Sequence, residues 1–120
     1  MTVPPGWPRD VPDPESPEFP DRVVGWLFDL CPADYRAHEV LRRHPVVLAR
    51  LAALHAQATL AAARSAYSGA RRDLAGRVPP EAVDETLAVL AKEGALLAAR
   101  VREVGLVEEA LQGRRWRPKL

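Results

Sequence analysis

Proline placement constrains this chain more than any other feature. Seven of the twelve prolines (Pro4, Pro5, Pro8, Pro12, Pro14, Pro17 and Pro20) fall within the first 21 residues, and after Pro45 none interrupts the sequence until the pair Pro79 and Pro80. Proline lacks a backbone N–H and has a fixed φ, so it is excluded from helix interiors yet suits a first helical turn. The chain can therefore carry one long helix from 45 to about 75 and another from 80 to 112. Residues 1–21 read instead as an extended or polyproline-like arm, acidic at −4, with Trp7 and Phe19 as its possible anchors.

Between arm and long helices the punctuation is again proline. "RVVGWLFDLC" places Val23, Leu27 and Leu30 near one face with Trp26 adjoining, a short buried helix over about 22–31 that Pro32 ends. "ADYRAHEVLRRH" reads as a second short helix over about 34–43, closed before Pro45 because the residue preceding proline disfavours helical geometry. The helical domain thus spans 22–112, and 113–120, "GRRWRPKL", is a basic aromatic tail at +4. No internal repeat is evident. The fold class expected is all-α: a long antiparallel hairpin, two short N-terminal helices and a proline-rich arm.

The second long segment has the clearer periodicity. Val83, Leu87, Leu90, Gly94, Leu97, Val101, Val104 and Leu111 recur at alternating steps of four and three, interrupted by Glu108, which is the spacing of a coiled-coil seam. In the first, Val47, Leu51, Leu54, Ala58, Ala61, Ser65 and Ser68 follow the same alternation with smaller side chains. Gly94 and Gly105 each cost about 1 kcal/mol against alanine inside a helix, so a close approach of the two backbones is the expected reason for them. The turn "GRVPPE" makes the helices antiparallel neighbours, and charge favours the pairing, with residues 45–79 at +4 and residues 80–112 at −4. The tail would then return to the end that carries the arm.

Function is less constrained. At 120 residues and net charge +1 the chain is one modest domain, not a strongly basic nucleic-acid binder. Its 15 arginines against 2 lysines, with neither isoleucine nor asparagine, reflect a GC-rich coding bias more than phosphate binding. One cysteine, Cys31, excludes an internal disulfide and fits a reducing, cytoplasmic setting. The apolar runs are short, so neither a membrane span nor a secretory signal is expected.

Cys31, His38, His44 and His55 offer thiolate and imidazole, the right ligands for zinc, but at no standard spacing. Phosphate-cradling glycine loops, a nucleophile elbow and the Glu-x-x-His pattern of di-iron bundles are absent from the sequence. No cofactor, metal or enzymatic activity is expected. The expected role is a helical protein-interaction or assembly module, self-association included; the alternative is nucleic-acid or ribonucleoprotein contact through the tail. Candidate partner-binding residues are Arg42, Arg43, Arg114, Arg115, Trp116, Arg117 and Lys119, with Trp116 placed to stack on an unpaired base. In the blander case the tail is a clasp against the acidic arm, and Trp116 is largely buried.

Overall fold

The computed structural model describes residues 3–119. Its regular structure is entirely helical: α1 (Phe19–Phe28), a 3-10 turn (Ala33–Ala37), α2 (Glu39–Arg43), α3 (Pro45–Leu74) and α4 (Pro80–Leu111), with no strand among the described residues. α3 and α4 pack along one another. Ion pairs join them at both ends: Arg71 to Asp84 beside the connecting turn, and Arg50 to Glu108 at 3.4 Å far from it. Glu108, the charge that interrupts the α4 repeat, thus has its partner across the helix pair.

The molecule is a plank. Its extents are 54 × 42 × 17 Å and its radius of gyration is 17.6 Å, against about 14 Å for a spherical chain of this length. Burial is concentrated at one end, where α1 and the N-terminal segment lie against the start of α3 and the end of α4. There Val23, Leu27, Leu48, Val104 and Val107 are fully enclosed, with Phe19, Phe28 and Leu41 nearly so. Each contributes roughly 1.5–3 kcal/mol of apolar burial.

α1 starts three residues earlier than its hydrophobic pattern suggests. Pro20 sits inside its first turn, and Phe19 is drawn into the core. The stretch expected as one helix over 34–43 is divided into the 3-10 turn and α2, broken at His38, whose backbone is extended (φ −99°, ψ 106°).

Residues 3–18 are not extended. The amides of Trp7, Val11, Ser16 and Phe19 each bond the carbonyl three residues back, making four successive turns. Proline fills the second position in three of them (Pro5, Pro14, Pro17), where its fixed φ fits a turn as well as it fits polyproline. Gly6, at φ 87°, supplies the left-handed third position of the first turn, while Asp13 Oδ1 and Ser16 Oγ accept amide bonds from Glu15 and Glu18 in two others. Trp7 donates through Nε1 to the Val11 carbonyl at 2.8 Å and lies 6.4 Å, centroid to centroid, from the Phe19 ring.

Two seam expectations fail. The buried apolar residues of α3 are Leu48, Ala49, Ala52, Ala53, Ala56, Leu60 and Ala70, whereas the expected stripe is mostly open: Val47 is 44% and Leu54 51% exposed, Ala58, Ala61, Ser65 and Ser68 are exposed too, and of its members Leu51 alone is half-buried. At 3.6 residues per turn the two sets lie on opposite sides of the helix. Alanine is so frequent in α3 that both read as apolar seams. Close approach is not the role of the α4 glycines either, since a Cβ at Gly94 or Gly105 would meet nothing within 4 Å. Beside Gly94 there is instead an open groove, edged by Ala63, Tyr67 and Leu90.

By length and composition alone, α3 is long and apolar enough to cross a membrane. Its most apolar 18-residue window has a mean hydropathy of 1.5, and 33% of that window is buried. Short apolar runs separated by single polar residues conceal this in the sequence.

Candidate functional site

The basic tail begins as a helix terminator. Gly113 takes φ 87°, its amide bonds the Ala110 carbonyl at 3.0 Å, and the Arg114 amide bonds the Glu109 carbonyl at 3.1 Å. That bond pair is a Schellman motif, which needs a left-handed residue just past the helix and so selects glycine. It reverses the chain and sends the tail back over the last turn of α4.

Arg115 then ties three segments together. Its Nε donates to Glu15 Oε1 at 2.8 Å and its Nη1 to the carbonyls of Ala110, at 2.9 Å, and Arg114, at 3.2 Å. Arm and tail therefore do meet, through Arg115 and Glu15. Trp116 is not the buried element of that contact, being 41% exposed. Together with Arg114, Arg115 and Leu106 it edges a cleft of about 140 Å³ whose opposite wall is Pro4, Trp7 and Pro14. Ligand pockets usually enclose about 300–1,000 Å³, so this cleft suits one or two inserted side chains better than a cofactor.

The remaining candidates lie elsewhere. Arg117 and Lys119 are exposed and form no ion pair among the described residues. Arg42 places its guanidinium 5.2 Å from the Phe28 centroid and Arg36 does so at 5.4 Å, two cations on one ring; this is a packing role that sequence spacing does not reveal. Arg43 is exposed at the end of α2 and does not line the cleft.

The thiol and imidazoles do not form a ligand set. Among the described residues no three His, Cys, Asp or Glu side chains are placed to hold a metal ion. His55 bonds the Tyr35 hydroxyl at 2.9 Å with the two rings edge to face, a pairing across twenty residues with no local signature. Burial pushes the Cys31 thiol above its ordinary value, Arg36 opposing, the reverse of what an activated nucleophile needs.

Exposed apolar side chains also lie on α3 itself. Val46, Val47 and Leu54 are 45%, 44% and 51% exposed, and Val40 on α2, at 47%, edges a shallow depression together with Tyr35, His38 and Leu51. Compared with known proteins, the chain matches no family model, no curated protein and no solved structure.

Proposed function

We propose that this chain is a non-enzymatic interaction or assembly module: an antiparallel helical hairpin, held at its open end by the proline-rich arm and short helices, that presents the outer edge of α3 to a protein partner. The observation that carries this reading is the set Val40, Val46, Val47 and Leu54, each between 44% and 51% exposed. Single apolar side chains on a surface are ordinary, but several large ones near the start of α3 and on α2, which packs against it, favour a contact site. A reducing, cytoplasmic setting suits its single cysteine. The test is affinity capture from the native cell with the wild type and with Leu54→Glu, which alters a half-exposed side chain outside the core. Partners should be lost from the variant; capture of the same partners by both proteins would sink the reading.

A second reading rests on Trp116. Its 41% exposure, beside three cations free of ion pairs among the described residues, leaves a ring able to stack on an unpaired base. If the tail binds single-stranded nucleic acid, affinity falls steeply with salt and drops on deletion of 113–120; binding indifferent to both would remove this alternative.

A further inference from the structure

Resting on the reading of α3's edge as a binding surface, we propose that its occupant is a second copy of this chain, paired α3 to α3 in antiparallel register. The stripe Val47, Leu51, Leu54, Ala58, Ala61, Ser65 and Ser68, open except at the half-buried Leu51, is graded in size: its first half is bulky and its second half small. Turned end for end about a two-fold axis at Ala58, it becomes its own complement. Val47 meets Ser68 of the second copy, Leu51 meets Ser65, Leu54 meets Ala61, and Ala58 meets itself. A parallel pairing sets leucine on leucine and serine on serine, which crowds one end and leaves voids at the other.

Charge permits this register. Residues 51–63 carry no Asp, Glu, Lys or Arg, so the middle of the contact holds no like charges. Arg50 comes near Arg64 of the second copy, but within its own copy it pairs with Glu108, which offsets the repulsion. The α3 window of mean hydropathy 1.5, only 33% buried within one chain, is the segment such a pairing would cover.

Area sets the strength. From 47 to 68 the stripe runs about 32 Å at 1.5 Å per residue, and a contact one helix diameter wide, about 10 Å, gives about 300 Å² per copy. A standard interface takes about 800 Å² per partner. The dimer is therefore weak and concentration-dependent, an isologous contact that closes at two copies.

Analytical ultracentrifugation of the full chain from micromolar to millimolar concentration tests this directly. The mass should rise from 13.2 kDa towards twice that, and Leu54→Glu should hold it at one chain while leaving helicity and melting unchanged. If Leu54→Glu perturbs the fold, Ala58→Arg, an exposed position that meets itself at the axis, serves instead. Register is read in a Cys31→Ser background by mixing Leu54→Cys with Ala61→Cys under oxidation: the mixed disulfide should form in preference to either self-linked species. A chain that stays monomeric at every concentration, a Leu54→Cys protein that links mainly to itself, or a monomer that uses the same edge to co-sediment with phosphatidylcholine–phosphatidylglycerol vesicles would each overturn the pairing. A monomer whose Leu54→Glu variant still loses a different protein partner overturns the self-pairing alone and leaves the binding-surface reading standing. Loss of neither overturns both.

Discussion

Leu48 and Leu90 both belong to the long helices, yet one is fully enclosed and the other only half-buried. Leu48 lies where α3 and α4 are joined by α1, α2 and the N-terminal turns, so its side chain has neighbours on every side. Leu90 lies in the stretch towards the Pro79 turn, where two helices have only each other. The covered end is a small domain core built from several layers; the turn end is a bare helix pair, and a pair of helices buries one stripe of each and no more. The contrast explains the elongated shape, and it explains why exposed apolar residues such as Tyr67 and Val89, at 48% and 58%, can persist towards the turn.

The largest effect expected from this contrast is in stability. Leu48→Ala removes a side chain from a fully packed site and should cost about 3 kcal/mol, in the range of buried leucine truncations. Leu90→Ala, already partly solvated, should cost about half as much. Chemical denaturation of the two variants checks this, and equal losses would mean that the turn end is as well packed as the core. Native-state hydrogen exchange probes the same difference: amides of residues 62–92 should open at lower free energy than those of 45–56 and 101–110.

A smaller effect, but one of opposite sign at two sites, comes from the same substitution. Gly113 is in the left-handed region at φ 87°, so Gly113→Ala should destabilise by about 1 kcal/mol. Gly94 is helical and a Cβ there meets nothing, so Gly94→Ala should stabilise by up to about 1 kcal/mol. Melting temperatures should shift in opposite directions. A loss at Gly94 would restore the close-approach explanation that the open groove beside it argues against.

The difference between the two regions also governs what the sequence discloses. Pro45 and Pro80 stand in the first turns of α3 and α4, since proline's geometry is a local rule that packing does not overturn. The α4 seam is visible because bulky residues recur along it at steady steps while the charged residues lie mostly off it. In α3 the background is itself alanine, so sequence spacing offers two stripes, and only the positions of α1, α2 and α4 decide which is covered. The N-terminal segment misleads for another reason: one φ serves both polyproline and the second position of a turn, and what selects the turn is Gly6, Asp13 and Ser16 beside the prolines. Of the tail, Gly113 as helix terminator is legible, whereas the choice of Arg115 over Trp116 as the contact to the arm depends on where Glu15 lands after three turns.

The smallest expected difference separates two arginines that look alike as ion pairs. Arg115 with Glu15 and Arg71 with Asp84 both join surface side chains, and pairs so exposed are worth at most tenths of a kcal/mol to about 1 kcal/mol. Arg115 also donates to the Ala110 carbonyl at the end of α4, an acceptor the helix itself leaves without an intrahelical partner. Arg71 has Asp84 at 3.4 Å with its own side chain 72% exposed. Arg115→Ala should therefore cost about 1 kcal/mol and loosen the segment around Glu15, visible as faster exchange of the Ser16 amide, while Arg71→Ala should change stability by less than about 0.5 kcal/mol. The discriminating variant is Glu15→Gln. It removes the charge and keeps an acceptor, so if Arg115 acts mainly by ending α4 and anchoring the arm through hydrogen bonds, Glu15→Gln should retain most of the wild-type stability. A loss as large as that of Arg115→Ala would show that the opposite charges of arm and tail, and not the capping geometry, hold the two ends of the chain together.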